Sequence, residues 1–484
     1  MNLALLAHEW LVIGLGLALL LADLWLPGTA RKKLGCTAAA GLGVILVYSF
    51  VAFKLPPGGV GYAFNDVYVL DGLALFFKRF FLAAAIIVLI MSVEFSDRLG
   101  GGITEYYSLV LFALAGMLFA SSANDFSLLF VSLELITVTF YILTSFQRGR
   151  LASLEAGVKY LVIGALSTGF TVFGIAMVSG ISGTLNFGQL SAVAAQYSSN
   201  PLFQFGLVLI LTGLGFKIAA FPFQIWAPDV YQGAPTPTTA FLAVGSKAAG
   251  FVLLLRVLFY AVPPVTAHWR DLLIVISGLT ILYGNLCAIP QRNLKRLLAY
   301  SSIAHAGYLL LGIAALSLNG QAAILYYLSG YLFAVLGAFT VICLVMRQVE
   351  SEDLSALAGL HQRSPLLAFT LTLAMVSLAG IPPLAGFFGK FLLLRSILEA
   401  APAHPGYYCL AVTALVGVVI SLYYYFGVIR AIYWPGEASD LTPIKPSLPL
   451  RFSLYACIAG MIGIGLFPAP IVHAAQTAAK FLKP

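Results

Sequence analysis

Apolar stretches of about 20 residues recur from one end of the chain to the other, joined by connections too short to form a soluble domain. A bilayer interior offers the backbone no hydrogen-bond partners, so only helices and closed barrels can cross it, and stretches of this length are typical of helices. Of the 484 residues, 61% are hydrophobic and only 9% are charged. These proportions exclude a soluble globular protein and predict an all-α polytopic membrane protein.

The length of the apolar stretches predicts about fourteen transmembrane segments. Numbered in chain order, they are 3–26, 35–53, 70–93, 104–122, 125–146, 152–180, 202–226, 237–261, 271–289, 297–316, 320–346, 365–398, 405–433 and 448–468. The seventh is interrupted at Phe221–Pro222 and followed by a short amphipathic piece, and the long twelfth is broken within Gly380–Phe391. Proline inside a membrane helix frees backbone groups that other helices, polar side chains or water must satisfy.

The two broken segments lie five segments apart. A five-helix unit duplicated head to tail reverses its orientation across the membrane, so the spacing predicts two inverted five-helix repeats, segments 4–8 and 9–13, each with a broken helix. Matched interruptions of this kind indicate an ion pathway at the midplane; two unrelated proline kinks are the alternative. The predicted domains are an N-terminal three-helix region (1–103), the two repeats (104–261 and 271–433) and a C-terminal helix (434–484).

The distribution of basic residues predicts the orientation of the chain. Lysine and arginine concentrate in the loops after odd-numbered segments. They are sparse in the loops after even-numbered segments and in the C-terminal tail, which contain, for example, Lys54 and Lys483. The positive-inside rule therefore places the odd loops in the cytoplasm and both termini on the other side. Topology thus explains the formal charge of +8, and no nucleic-acid partner is expected. The five cysteines are scattered singly and are interpreted as small core residues.

Charged side chains inside apolar segments are the candidates for function, because each is costly in a bilayer interior. Glu134 lies near the middle of the fifth segment, with no charged neighbour on its own helix. Three central lysines are its candidate partners: Lys217, Lys247 and Lys390. In the sixth segment, Lys159 follows Glu155 by four residues, which is a favourable spacing on one helix face.

These residues suggest a route for protons. Desolvation favours the neutral form of a lysine, whereas an adjacent carboxylate favours the charged form. Separating Glu134 from Lys217 would therefore make the lysine a better proton donor, able to pass a proton along water to Lys247 and then Lys390. The alternative is a set of static ion pairs that fix the helix register. His305, flanked by small and hydroxylated residues, is either a relay group or a satisfied core histidine.

Other polar residues are given structural interpretations. Three cations near segment ends are expected to extend to the membrane interface: Lys78, Arg79 and Arg256. Asp229, beside the break in the seventh segment, is expected to cap backbone groups. His8, Glu9 and Asp23 in the first segment are candidates for pairing with other chains. The first segment lacks a preceding basic region and is expected to be a retained anchor.

Three stretches resemble a known family. They are KIAAFPFQIWAPDVYQGAPTPTTAF, NLKRLLAYSSIAHAGY and LAGIPPLAGFFGKF. They are similar to the N-type subunits of proton-translocating NADH:quinone oxidoreductase (respiratory complex I), within the wider family of antiporter-like membrane subunits. The resemblance covers segments 4 to 13, and the phrase PDVYQGAPTP is specific to the N type rather than its L and M paralogues.

The resemblance implies fourteen helices, two inverted repeats, and half-channels joined by a central hydrophilic axis. It implies that Glu134 and Lys217 form the switchable pair of the first half. Lys247 would be the central relay and Lys390 the second-half lysine near the exit. Lys159 matches a further lysine of the family pattern, and His305 falls in the matching AYSSIAH stretch.

One position departs from the family pattern. Gln224 stands where a histidine of a PFHxW pattern is expected. An amide can hold water but cannot carry a charge-changing proton. The departure therefore predicts a water-filled gap between Lys217 and Lys247.

The resemblance also implies partners. NADH, FMN, iron–sulfur clusters and quinone (ubiquinone or another) would bind to other subunits, and this chain would be a non-redox subunit that binds none of them. The implied neighbours are the M-type antiporter-like subunit, small K-type subunits and the lipid bilayer, in a bacterial inner membrane with both termini periplasmic. The alternatives are a subunit of a multisubunit cation/proton antiporter or of a related membrane-bound hydrogenase, and a structural scaffold.

Overall fold

The computed structural model of the chain describes residues 3–53, 55–56, 58–349, 351–434 and 441–482, and these are almost entirely helical. The first eleven helices are α1 (Ala7–Asp23), α2 (Gly28–Val51), α3 (Gly72–Phe95), α4 (Ile103–Ser121), α5 (Phe126–Thr144), α6 (Leu151–Ser182), α7 (Phe187–Val193), α8 (Pro201–Ile218), α9 (Ala227–Gly233), α10 (Thr236–Phe241) and α11 (Lys247–Leu255). The others are α12 (Pro263–Thr266), α13 (Arg270–Ala288), α14 (Leu294–Ala314), α15 (Leu318–Gln348), α16 (Leu360–Arg363), α17 (Pro365–Ala379), α18 (Ala385–Ala400), α19 (Gly406–Tyr433), α20 (Leu448–Leu466) and α21 (Ala469–Ala479). Lys54 and Lys483 lie outside the described residues.

The number of membrane crossings agrees with the sequence prediction. Within the described ranges, thirteen helices are long and apolar enough to span a membrane, and one of them is the continuous helix Thr236–Ala261, which contains α10 and α11. The remaining predicted segment, the twelfth, consists of two shorter helices, α17 and α18. An all-α polytopic membrane fold is therefore confirmed.

Both predicted breaks are present. In the seventh segment, α8 ends at Ile218 and α9 begins at Ala227, so the helix stops before the predicted limit of 226. In the twelfth, the non-helical stretch is shorter than predicted, because α18 begins at Ala385 and already includes Phe391. Pro382 and Pro383 lie within the irregular stretch 380–384, and the glycine- and phenylalanine-rich residues after it form a helix that packs against α15.

The helices separate into a central group and a peripheral group. Thr236–Ala261 and α14 are buried along their whole apolar length, and α15 is nearly so, whereas only 28–39% of the apolar windows of α6, α13, α19 and α20 is buried. In a membrane protein the exposed apolar faces meet lipid or other subunits. Residues on the central helices, including Lys247 and His305, are therefore the farthest from lipid.

Two features were not predicted. Gly61–Ala63 (β1) and Tyr68–Leu70 (β2) form an antiparallel hairpin between α2 and α3, with Asn65 and Asp66 in the left-handed region (φ 53° and 64°) that these residue types tolerate. The C-terminal region contains two helices, α20 and α21, instead of one, because Pro468 cannot continue α20. The domain limits and the correspondence between the repeats stay predictions.

Candidate functional site

Lys217 lies just before the break in the seventh segment, in the last turn of α8, and is buried. Pro201 and the Asn200 cap begin α8, and the helix ends one residue after Lys217. The Lys217 ammonium donates to Thr137 Oγ1 at 2.8 Å and to Tyr160 OH at 3.5 Å. Its position in the last turn of α8 places it near the negative end of the helix dipole. The charge is thus held by neutral oxygen atoms.

Glu134 faces the same space as Lys217 without touching it. Its Oε1 accepts a hydrogen bond from Thr168 Oγ1 at 2.7 Å. Glu134 and Lys217 both line a small cavity of about 20 Å³, which has room for about one water molecule. No lysine nitrogen in the described part of the chain lies within ion-pair distance of Glu134. The predicted pair is therefore not in direct contact in this structure, and its switching stays a prediction.

Lys247 lies at the centre of the molecule. It follows a wide π turn, Leu242–Ser246, of the kind that often occurs at functional sites. Its ammonium donates to the backbone carbonyl of Ser302 at 2.6 Å and also to the Ser302 hydroxyl. Tyr331 OH donates to the same hydroxyl at 3.0 Å, and Tyr231 OH lies 3.4 Å from it. Lys247 thereby joins α11 to α14.

His305, three residues after Ser302 on α14, is buried among tyrosines. Its Nδ1 is hydrogen-bonded to Tyr327 OH, and its Nε2 lies 2.9 Å from Tyr425 OH. Tyr425 OH in turn lies 2.5 Å from Ser301 Oγ. Both ring nitrogens therefore have partners, as in a satisfied core histidine. The same bonds also form a continuous hydroxyl–imidazole chain suited to a relay, so the two interpretations stay open.

Lys390 lies beyond the second break and reaches back to it. Its ammonium donates to the carbonyls of Leu378 and Ala379, at 2.9 and 3.0 Å, which end α17. These carbonyls form the negative end of the helix dipole, which favours a cation. Gly380 has φ +85°, and a Cβ there would lie 2.9 Å from Lys390 Cδ. A glycine is thus needed both for the turn and for the approach of the lysine.

Gln224 occupies the irregular stretch between α8 and α9. It is buried, and its Oε1 has no hydrogen-bond partner among the described residues. A buried polar oxygen is almost always satisfied by protein or by ordered water. The orphaned oxygen is consistent with the predicted water-filled gap between Lys217 and Lys247.

Lys159 belongs to a partly exposed ionic cluster. It pairs with Glu155, as the four-residue spacing predicts, and with Asp229, both at 2.7 Å. Asp229 also pairs with Arg296 at 2.5 Å. The prediction that Asp229 caps backbone groups is therefore wrong, because its carboxylate is taken by two cations. The cluster ties α9 to α6 and α14.

Two buried ion pairs in the N-terminal region correct the interpretation of the cations near segment ends. Lys78 pairs with Glu9 at 2.7 Å and Arg256 with Asp71 at 3.0 Å, and all four side chains are buried. Lys78 and Arg256 therefore do not extend to the interface. Glu9 has its partner within this chain.

Asp23, a candidate for pairing with another chain, and Arg79, a cation near a segment end, also have partners within this chain. Asp23 pairs with Arg31 at 2.9 Å and accepts a hydrogen bond from Thr104. Arg79 donates to the backbone oxygen of Ser49 and stacks over Phe50, with 4.0 Å from its guanidinium carbon to the ring centroid. Asp23 therefore needs no other chain to neutralise it.

A carboxylate outside the membrane segments joins the loops. Glu352 pairs with Arg150 at 2.5 Å and with the buried Lys295 at 3.2 Å, and it accepts from Asn293 at 3.0 Å. Burial raises the pKa of the Glu352 carboxyl, but Lys295, Arg150 and Asn293 outweigh this effect and lower the pKa below its ordinary value. The ion pairs therefore stabilise the fold above the ordinary carboxyl pKa and lose that contribution as the pH falls through the lowered one.

Glu352→Gln should lower the free energy of unfolding of the purified protein at neutral pH by about 1.5–3 kcal/mol, because it removes charge-assisted hydrogen bonds from a buried lysine and an arginine. The difference from the wild type should shrink in acid, below the folded-state pKa, where the wild-type carboxylate is itself protonated. Thermal unfolding at both pH values checks this. Glu399→Gln, at an exposed pair with Arg395, is the control and should change stability less. A pH-independent difference would contradict the prediction.

Comparison with known proteins identifies the family. A family model described as "NADH:quinone oxidoreductase/Mrp antiporter, TM" matches residues 123–421. NADH-quinone oxidoreductase subunit N of Desulforamulus reducens is 39% identical over 99% of this chain and 98% of its own. The same subunit of Moorella thermoacetica is 39% identical over 100% of both. The chain belongs to the subunit N family of NADH-quinone oxidoreductases. All six residues predicted to take part in proton translocation in this subunit N family member lie inside the range matched by the family model.

Solved structures agree with this assignment. A chain of respiratory complex I from Thermus thermophilus with bound aureothin is 35% identical, covers 96% of this subunit N family member and 98% of its own length, and superposes with a TM-score of 0.79. A chain of the Mrp complex from Dietzia sp. DQ12-45-1b superposes with a TM-score of 0.83 over 100% of this chain and 98% of its own, at 22% identity. The second likeness shows that this Mrp chain has the same fold.

Proposed function

We propose that this chain moves protons across the membrane as a subunit of an NADH:quinone oxidoreductase, coupling quinone reduction elsewhere in the complex to proton transfer through buried lysines and water. The proposed path runs from the Glu134–Lys217 cavity through Lys247 and the His305 network to Lys390, with Lys159 at its margin. The full-length likeness to relatives named subunit N supports the assignment to this complex.

The way the three central lysines are held carries the proposal. Lys217, Lys247 and Lys390 are all buried, and none has a carboxylate within ion-pair distance among the described residues. Three other buried cations, Lys78, Arg256 and Lys295, do have such partners. The buried Arg363 donates instead to the Ala356 carbonyl and the Gln348 amide oxygen. A permanently charged, unpaired lysine is expensive inside a membrane protein, whereas one that alternates between charged and neutral forms is charged only part of the time.

The proposal assigns redox chemistry to other subunits. NADH, FMN, iron–sulfur clusters and quinone would be held by partner chains, and this chain would be a non-redox subunit beside M-type and K-type membrane subunits. The positive-inside rule supports a bacterial inner-membrane orientation with both termini periplasmic. Protons would then move from the cytoplasm to the periplasm.

A cation/proton antiporter subunit is the second candidate, since the Mrp chain shares the fold. Its identity to this chain is 22%, against 39% for the subunit N relatives. A membrane-bound hydrogenase subunit or a structural scaffold has less support, because neither explains the likeness to subunit N together with unpaired central lysines.

Lys217→Ala tests the proposal in native membranes. We expect NADH-driven proton translocation to fall by roughly two- to tenfold, because a proton-transfer group is lost but the Glu134 cavity still admits water. Vesicle acidification and NADH oxidation are measured together, with assembly checked by native gel. Lys217→Arg keeps the charge but does not release a proton, so it should fail as well. Normal pumping in the alanine variant, or full rescue by arginine, would leave only a structural role for Lys217.

A further inference from the structure

A second group of buried polar residues lies among the N-terminal helices, apart from the central lysines. Glu9 on α1 and Lys78 on α3 have no exposed side-chain surface, and Lys78 Nζ lies 2.7 Å from Glu9 Oε1. Tyr68 OH accepts from Lys78 at 2.6 Å and lies 3.1 Å from both Glu9 Oε1 and the Leu5 carbonyl, to which it can donate. Ammonium, hydroxyl and carboxylate therefore form a closed triangle of hydrogen bonds.

This triangle has polar capacity that the protein does not use. Glu9 Oε2 and both ring nitrogens of the neighbouring His8 are buried and have no partner among the residues that the structure describes. The His8 ring contacts Phe53 edge-on, with 4.5 Å between centroids. Buried polar atoms are almost always hydrogen-bonded. Three polar atoms beside one ion pair are thus left with unused hydrogen-bonding capacity.

The other buried pair in the same region shows what a static pair looks like. Both Asp71 oxygens accept from the Arg256 guanidinium, at 3.0 and 3.1 Å, and Oδ1 also accepts from the Ala74 backbone. Arg256 Nε and Nη2 also donate to the Ser121 carbonyl, so every nitrogen of the guanidinium has a partner. A stable buried pair needs good geometry and a hydrogen-bond partner for each of its polar atoms. The Glu9–Lys78 pair does not meet it.

The site lies near one membrane surface. Lys78 is six residues into α3, about 9 Å along the helix, and Glu9 is in the first turn of α1. Tyr68 comes from β2, in the hairpin that connects α2 and α3 outside the apolar segments. Lys247, in contrast, lies near the middle of Thr236–Ala261. The N-terminal group is therefore close to the aqueous phase on the side of the hairpin.

We propose that His8, Glu9, Tyr68 and Lys78 form a second proton-holding site, which exchanges protons with water on the membrane side that carries the hairpin. The inference rests on the proposed function of the chain and adds a site to it. Glu9 Oε2 accepts one proton from hydronium, which leaves as water, and forms a carboxyl while Lys78 keeps its own proton. The carboxyl proton then passes to the unprotonated ring nitrogen of His8, and the imidazolium releases a proton to water. One proton enters and one leaves, with no change in oxidation state.

His8→Phe is the first test, because His8 has no hydrogen-bond partner in the described part of the chain and phenylalanine can keep the ring packing against Phe53. In assembled complex in native vesicles, we expect the number of protons moved per NADH oxidised to fall by about twofold or more. Asp23→Asn removes a charge from the same helix at a partly exposed pair with Arg31 and should leave this ratio unchanged. An unchanged ratio in His8→Phe overturns the role of His8.

A double variant separates proton exchange from a structural ion pair. Glu9→Gln with Lys78→Met removes both charges, so it leaves no uncompensated charge in the protein and should assemble better than Glu9→Gln alone. A structural pair predicts a normal proton-to-NADH ratio in the double variant, whereas the proposed site predicts a loss of about twofold or more. A normal ratio in both the double variant and His8→Phe overturns the proposal.

Lys217→Ala, measured in the same vesicles, distinguishes the two levels of inference. If it loses pumping while the N-terminal variants keep the full ratio, the second site fails and the proposed function stands. If Lys217→Ala itself pumps normally, the proposed function fails first.

Discussion

Lys247→Met is expected to reduce NADH-driven proton translocation by about tenfold or more, a larger loss than that expected for Lys217→Ala. The Lys247 ammonium, bonded to Ser302, joins α11 in the first half of the chain to α14 in the second. Gln224, in the stretch between Lys217 and Lys247, cannot exchange a proton. With Lys247 removed, no titratable side chain of the proposed path remains between Lys217 and the His305 network.

Methionine is a suitable replacement because it keeps an unbranched, flexible side chain of similar length. The measurement is the rate of vesicle acidification against the rate of NADH oxidation, in membranes where native gels show equal amounts of complex. Lys445→Met, an exposed loop lysine, is the matched control and should pump normally. Wild-type acidification in Lys247→Met would mean that water alone conducts protons through the centre of the molecule.

The sequence predicts the membrane segments and both breaks well, because they depend on local properties. Apolar length sets the crossings, and the prolines of Phe221–Pro222 and Pro382–Pro383 stop helices regardless of their surroundings. The hairpin at Gly61–Leu70 escaped prediction, since two three-residue strands give too little alternation to recognise.

The candidate lysines could be chosen from sequence, but their partners could not. Thr137 lies 80 residues from Lys217, and Ser302 lies 55 residues from Lys247. Neither threonine nor serine stands out in a membrane helix, where both occur as packing residues. The choice of neutral partners over Glu134 is a property of tertiary packing alone.

Lys78 and Arg256 were misinterpreted for a related reason. Distance from a segment end indicates depth in the membrane, but it says nothing about which face of a helix is covered. A usable signal was present: Glu9 and Asp71 lie at similar depths to Lys78 and Arg256, near the same predicted membrane surface. Matching acidic and basic residues by depth, across segments, would have suggested both buried pairs.

Asp71→Ala is expected to destabilise the chain by about 3–5 kcal/mol, because it leaves the Arg256 guanidinium buried without its counter-ion. Arg256 is 1% exposed, and no other carboxylate among the described residues pairs with it. The substitution also removes the N-terminal cap of α3, since Asp71 Oδ1 accepts from the Ala74 backbone at 2.7 Å. Both effects act on the helix that carries Lys78, so we expect little assembled complex in the membrane.

A double substitution should relieve both effects at once. Asp71→Asn with Arg256→Gln eliminates the unpaired charge and keeps a capping side chain, because asparagine is as good a cap as aspartate. Native-gel abundance and thermal unfolding of the solubilised complex should therefore recover most of the loss. If Asp71→Ala assembled like the wild type, water or the Ser121 carbonyl would be enough to stabilise the Arg256 guanidinium without the carboxylate. The Asp71–Arg256 pair would then be dispensable for holding the N-terminal helices against Thr236–Ala261.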